Sequence, residues 1–107
     1  KLSEHIVKNQ EISRMISTES FDLHDSDGKL HHKAMTTDEF LESGVSFGEL
    51  ELIGAKTGYT IKANGCLVLI LKNPKNNGYL INIILGSDDR FDDMKKMVNW
   101  ANYNFGL

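Results

Sequence analysis

The sequence has little of what would tie a protein to disulfides, membranes or nucleic acid. Its 107 residues include one cysteine, Cys66, so an internal disulfide is excluded. No run of 18 or more apolar residues occurs, which argues against a membrane-spanning helix. The net charge of −3 argues against a nucleic-acid-binding protein, because such proteins carry basic patches. The polar start, Lys1 to His5, shows no signal-peptide pattern.

The composition is that of one small globular domain, with 40% hydrophobic and 25% charged residues. The apolar spacing predicts a helix from Ser3 to Ile16, with Asn9-Gln10 as a point where it can divide into two. A hairpin is predicted around Asp25-Ser26-Asp27-Gly28, with Gly28 at positive φ. A short helix capped by Thr36 or Thr37 follows and runs through Leu41.

Three antiparallel strands are predicted next, over 49–60, 65–71 and 79–85, with a turn at Pro74 to Gly78. The last two are apolar at nearly every position, which is typical of strands covered on both faces. A final helix starts after an expected N-cap at Ser87 and buries Phe91, Met94, Val98, Ala101 and Phe105. The chain offers little to cover the second face, so we expect a tight partner or a longer chain. The predicted fold class is α+β, an antiparallel sheet flanked by helices.

One stretch carries a functional signal: Gly54-Ala55-Lys56-Thr57-Gly58-Tyr59-Thr60, followed by Ala63-Asn64-Gly65 and an apolar strand. It resembles the third motif of the serine-type D-alanyl-D-alanine carboxypeptidases, the low-molecular-mass penicillin-binding proteins. The preceding helix, the hairpin and the segment around Arg90 resemble the same family, so that the resemblance covers nearly the whole chain. It is weakest over 35–49, where an Asn-Thr-Asn-like stretch is replaced by Ala34-Met35-Thr36-Thr37.

The family's other two motifs are missing from the sequence. Ser-x-Asn does not occur, and Ser-x-x-Lys occurs once, as Ser26-Asp27-Gly28-Lys29. The nucleophilic serine needs a helix that brings the lysine one turn away, whereas Asp-Gly favours a turn. The resemblance therefore implies that residues 1–107 form the C-terminal portion of one catalytic domain, inactive by itself.

The resemblance implies roles for three side chains in binding an anionic substrate. Lys56 would place a positive charge beside the nucleophile and attract the substrate carboxylate. Thr57 would donate its hydroxyl to that carboxylate. Arg90 would grip the same group with its guanidinium, although it is also interpretable as a solvated residue of the first helical turn.

Three further positions would shape the edge of the strand. Gly58 would leave room for the substrate backbone, and Thr60 would support the strand. The backbone N–H of Tyr59 would be an oxyanion-hole donor, which is typically worth about 3 kcal/mol in the transition state.

The implied activity is acyl transfer on peptidoglycan stem peptides that end in D-Ala-D-Ala, with β-lactams as further ligands and no cofactor. The implied location is outside the cytoplasm. The missing N-terminal half of the domain, or a second copy, is the expected partner. Two alternatives remain at this point: a non-catalytic binding or structural homologue, and a β-lactamase-like hydrolase. His24, His31 and His32 could suggest a metal site, but a solvated hairpin is favoured because neighbouring strand residues point to opposite faces.

Overall fold

The computed structural model describes residues 1–43 and 46–107. It contains four helices and five strands in these ranges. In chain order they are α1 (Leu2–Lys8), α2 (Gln10–Ile16), β1 (Ser20–His24), β2 (Leu30–Met35), α3 (Glu39–Ser43), β3 (Glu51–Thr60), β4 (Asn64–Asn73), β5 (Gly78–Ser87) and α4 (Arg90–Phe105). No helix in the described ranges has the length and apolar content of a membrane span.

The first helical stretch divides where the sequence predicted it. Asn9 has extended backbone angles, φ −100° and ψ 104°, which end α1. Its side-chain Oδ1 then accepts a hydrogen bond from the N–H of Ile12 at 3.1 Å, which caps α2. One residue therefore ends one helix and starts the next.

The β1–β2 hairpin turns on Asp25. Its Oδ1 accepts hydrogen bonds from the N–H groups of Asp27 and Lys29 at 3.0 and 2.9 Å. Gly28 takes φ +79°, a left-handed conformation that glycine adopts without a steric penalty. Ser26 and Lys29 thus lie in a hairpin turn, as the sequence predicted. They are not on a helix that would place them one helical turn apart.

The predicted three-stranded meander is present, in the order β3-β4-β5 with antiparallel pairing throughout. Its second and third strands are longer than predicted. Lys72 pairs with Tyr79 and Asn73 with Gly78, so the ladder continues past residue 71, where the sequence ended the second strand, and includes Gly78, which it placed in the turn. Backbone pairing needs no apolar side chains, and hydrophobicity alone therefore gave ends that were too early.

The main core lies between this sheet and α4. Leu67, Leu69 and Leu71 of β4 are at most 1% exposed and pack with Met94 and Val98 of α4. The prediction for Phe105 was wrong: its ring is 67% exposed and packs edge-on against Trp100. It belongs to the last helical turn, which ends at Gly106 with φ 60°.

Two predicted caps are also corrected. The N-cap of α4 is Asp89, whose Oδ1 accepts from the N–H of Asp92, while Ser87 accepts from the N–H of Asp89 and donates to Asp93. Before α3, Asp38 and not Thr36 or Thr37 accepts from the helix, through the N–H of Phe40 at 2.9 Å. In both places an aspartate closer to the helix takes the capping role.

Candidate active site

The Lys-Thr-Gly stretch occupies the second half of β3. Lys56 pairs with Val68 and Gly58 with Cys66, so the motif is held in register by β4. In the described part of the chain, β3 is an edge strand with no strand on its other side. An edge strand presents N–H and C=O groups to which an extended peptide can hydrogen-bond.

Two glycines of this strand, Gly54 and Gly58, differ in the space that their surroundings leave for a side chain. A Cβ atom at Gly54 would lie 2.6 Å from Cγ1 of Ile16, so glycine there permits α2 to pack on the strand. A Cβ at Gly58 would meet only the Cβ of Cys66, at an ordinary 3.7 Å. Packing within the described chain explains Gly54 but does not require Gly58. The absence of a side chain at Gly58 leaves the surface beside the motif open.

Lys56 and Thr57 both line the groove beside β3 and both carry a polar side-chain group. The Nζ of Lys56 is exposed and donates to the carbonyl oxygen of Thr57 at 2.6 Å. The hydroxyl of Thr57 lies 2.7 Å from the hydroxyl of Thr37, at the end of the hairpin segment. An ammonium group and a hydroxyl, adjacent in sequence, form a suitable pair for an anionic ligand.

The turn after β3 is held by two side chains. The Oγ1 of Thr60 accepts from the N–H of Ala63 at 2.9 Å. Asn64 adopts φ 56° and donates its Nδ2 to Oδ1 of Asp88 at 2.6 Å. Thr60 therefore supports the end of the strand, while the ring of Tyr59 is 67% exposed.

Arg90 is brought to the motif from the start of α4. Its Nη1 donates to the carbonyl oxygen of Gly58 at 3.0 Å, and its guanidinium lies 5.1 Å from the ring centroid of Phe91. The sequence separates Arg90 from Gly58 by 32 residues. The structure thus brings together all six sequence-predicted positions, with the guanidinium engaged by the peptide backbone.

The sequence did not reveal a polar segment that faces the motif from the other side, Thr36-Thr37-Asp38. It lines, with Met15, Phe21, Met35 and Lys56, a groove of about 390 Å³ between the hairpin, α2 and β3. Asp38 is 2% exposed, and burial raises the pKa of its carboxyl, an effect that the N–H groups of Phe40 and Leu41 and the charge of Arg90 partly offset. Short threonine and aspartate runs are common as helix caps, and nothing in the spacing places Thr37 beside Thr57.

The hairpin histidines correct one expectation. His31 and His32 do not point to opposite faces: their Nδ1 atoms lie 2.7 Å apart, and the rings meet edge-on. Both are exposed, and His31 is the extra residue of a bulge, because His32 pairs with Leu23 and Leu30 pairs with His24. The regular alternation of side chains along a strand does not hold at a bulge. Within residues 1–43 and 46–107, no group of three or more His, Cys, Asp or Glu residues could hold a metal ion.

Fold and edge-strand motif together define a class: an α+β protein whose antiparallel sheet has helices on both faces. Its structure is similar to that of a penicillin-binding protein homolog from Mycobacterium tuberculosis, with TM-score 0.73 and 19% identity over 96% of this chain. It is also similar to a D-alanyl-D-alanine carboxypeptidase from Mycobacterium tuberculosis H37Rv, with TM-score 0.70 and 16% identity over 99% of this chain.

The alignment spans 38% of the length of each of these two proteins. No protein-family model and no curated protein matches the sequence. At these identities the likeness establishes the fold. The predicted fold class and the resemblance to penicillin-binding proteins and D-alanyl-D-alanine carboxypeptidases are confirmed at that level.

Proposed function

We propose that this chain is the C-terminal portion of the catalytic domain of a serine-type D-Ala-D-Ala carboxypeptidase that also binds β-lactams. The observation that carries the proposal is the position of Lys56-Thr57-Gly58 on the outer strand of the sheet, with Arg90 beside it. The fold of the two neighbours supports it, and the 38% coverage of their chains supports the assignment as a portion.

The reaction would be acyl transfer. A serine hydroxyl from outside this chain attacks the carbonyl carbon between two D-alanines, the C–N bond breaks, and the terminal D-alanine leaves with the proton. Water then hydrolyses the ester and releases the shortened peptide. This chain would contribute binding and charge stabilisation, and the nucleophile would come from the remainder of the domain.

Each residue of the motif has a role in that scheme. The Nζ of Lys56, now on the carbonyl of Thr57, would turn to the nucleophile and raise the local positive potential. Thr57 would donate to the terminal carboxylate, and Tyr59 would donate its N–H to the oxyanion. Gly58 would admit the substrate backbone, and Thr60 would keep the strand end in place through its bond to Ala63.

Arg90 would act at the same carboxylate. Its side chain is long enough to exchange a neutral carbonyl, that of Gly58, for a charged carboxylate. A charge-assisted bond of guanidinium to carboxylate is roughly twice as strong as one between neutral groups. The present contact would hold the guanidinium near the strand until substrate arrives.

The substrate would be the peptidoglycan stem peptide, and the protein would work outside the cytoplasm, where that polymer is built. The partner of this chain would be the N-terminal portion of the same domain. It would supply the Ser-x-x-Lys and Ser-x-Asn motifs and pack on the sheet.

Labelling with a fluorescent penicillin tests the proposal. The 107-residue chain should not become covalently labelled, and a longer product of the same gene should, through a Ser-x-x-Lys encoded upstream of Lys1. In that longer protein Lys56→Ala should slow labelling at least tenfold, and Lys62→Ala, an exposed lysine in the following turn, should leave the rate unchanged.

Three results would contradict the proposal. Covalent labelling of the 107-residue chain would place a nucleophile within it. An upstream sequence without Ser-x-x-Lys, together with no labelling of the longer product, would favour the non-catalytic homologue. Rapid turnover of the β-lactam by the longer protein would favour the β-lactamase-like alternative.

A further inference from the structure

The contact between the hydroxyls of Thr37 and Thr57 links the hairpin segment to the motif. The two Oγ1 atoms lie 2.7 Å apart, an ordinary distance for an O–H···O bond. Each hydroxyl has one proton and two acceptor lone pairs. One threonine therefore donates to the other, and the acceptor of the pair keeps its own proton for a different partner.

We propose that Thr37 is a positioning residue that donates to Thr57 and so directs the proton of Thr57 toward the substrate carboxylate. The inference rests on the proposed function, which assigns Thr57 to that carboxylate. If Thr57 donated to Thr37 instead, its oxygen would face the anion with lone pairs only, and the contact would be repulsive. When Thr57 accepts the hydrogen bond from Thr37, its own proton remains available for the carboxylate.

The backbone on both sides of Thr37 is fixed. The N–H of Thr36 donates to the carbonyl of Glu19 at 2.7 Å, and the N–H of Asp38 donates to Oγ1 of Thr36 at 3.1 Å. Asp38 is buried and caps α3 through Phe40, which is 1% exposed. A hydroxyl mounted on such a segment needs little further ordering when a ligand binds.

The surroundings favour a ligand with one anionic end and a small apolar part. Lys56, with its exposed ammonium group, is next to Thr57 in the sequence. The rest of the groove is mostly apolar, with Met15, Phe21 and Met35 among its lining residues. Hydrogen bonds to a charged group are stronger than those between neutral groups, so the direction of one proton should have a measurable effect on binding.

The first test needs no ligand. Three-bond couplings to the Thr57 side chain in the isotope-labelled 107-residue protein report its χ1 rotamer. The parent and Thr37→Ser, which keeps the hydroxyl, should show one rotamer, and Thr37→Val, which keeps the shape without the hydroxyl, should show averaging. An unchanged single rotamer in Thr37→Val would overturn the inference.

The second test titrates the longer product of the same gene, with the serine of its upstream Ser-x-x-Lys replaced by alanine, with a peptide ending in D-Ala-D-Ala and with the same peptide amidated at its C-terminus, while the amide signals of 56–59 are followed. Thr37→Val should weaken binding of the acid about fivefold, as expected for one hydrogen bond near 1 kcal/mol, and leave the amide unchanged. Thr37→Ser should bind as the parent does.

The outcomes separate the two proposals. Equal affinity of the parent and Thr37→Val for the acid would overturn the role of Thr37 and leave the proposed function in place. A parent protein whose motif signals do not respond to the acid, with Thr57 in one rotamer, would overturn the proposed function and the carboxylate role of Thr37 with it.

Discussion

The two faces of the β3–β5 sheet are closed to different degrees. On the face toward α4, Leu67, Leu69 and Leu71 are fully buried. On the other face α1 and α2 lie against Val68 and Ile70, but Ile83, the partner of Val68, is 51% exposed. Leu85, two residues further along β5, is 77% exposed. The strands are apolar on both faces, and this chain completes only one of the two layers that such strands need.

The largest effect is expected from a substitution on the closed face of the sheet, the face that packs against α4. Leu69→Ala removes a fully buried side chain and should lower the free energy of unfolding by about 2–5 kcal/mol. Ile83→Ala, on the open face, should cost less than about 1 kcal/mol because its side chain is already half in water. Urea titration of both variants measures the difference. Equal losses would mean that the open face is covered in solution.

Next in size is the contact that covers part of the open face. Gly54→Ala would place a Cβ 2.6 Å from the side chain of Ile16 and 3.3 Å from its carbonyl oxygen. We expect a loss of about 1–3 kcal/mol in the free energy of unfolding, typical of overpacking. Gly58→Ala, on the same strand with room for a Cβ, is the control and should stay near parental stability. A harmless Gly54→Ala would show that α2 does not pack on the sheet.

A smaller effect is expected at the buried residue Asp38, where a substitution should raise the free energy of unfolding instead of lowering it. Burial raises its pKa above the ordinary aspartate value of 3.8, so the folded state binds a proton more tightly than the unfolded state does. This contribution makes the free energy of unfolding fall as pH rises through the window between 3.8 and the raised value. Asp38→Asn should remove that fall and raise stability at pH 7 by about 1 kcal/mol.

We expect Asp38→Asn to be stabilising because a carboxylate oxygen of Asp38 is buried without a hydrogen bond. In the described part of the chain, Oδ2 of Asp38 is buried and has no hydrogen-bond partner. Thermal melts between pH 3 and 8 measure the effect, with the exposed Asp22→Asn as the control for net charge. A variant less stable than the parent at pH 7 would show that Asp38 is needed as a charge, for instance opposite Arg90.

The smallest effect on stability is expected on the open face itself. Leu85→Ser should change the free energy of unfolding by no more than about 0.5 kcal/mol, because the side chain is exposed. It should nevertheless reduce self-association, which we expect of the parent through this apolar surface. Sedimentation at several concentrations measures it. A parent that stays monomeric throughout would remove the open face as an interface between copies.

Much of the fold was predictable because it depends on local patterns. The split at Asn9, the turn at Gly28, the three-stranded meander and the α4 helix all follow from spacing and turn chemistry. Helix caps were misplaced by one or two residues, since Ser87 and Asp89 are both good caps and only the backbone path decides between them. The exposure of Phe105 was missed because a helical stripe does not show where the sheet beneath it ends.

The candidate site was predictable in part, through its contiguous motif and through the position of Arg90. Lys56 to Thr60 follow one another in sequence, and Arg90 was found from its place after the third strand. The contact of Thr37 with Thr57 spans 20 residues and depends on how the hairpin returns to the sheet. The buried carboxyl of Asp38 could not be foreseen either, because burial of a charged residue is a property of the tertiary structure.

The outer edge of β3 has a consequence for solubility. A strand edge that accepts a peptide accepts any extended chain, including β3 of another copy, and this is a common start of aggregation. Two features of the strand oppose that outcome. The exposed charge of Lys56 lies at its middle, and the pairing shifts between Leu52 and Gly54, where a bulge bends the edge. Lys56, which we propose attracts the substrate, would thus also keep neighbouring copies apart.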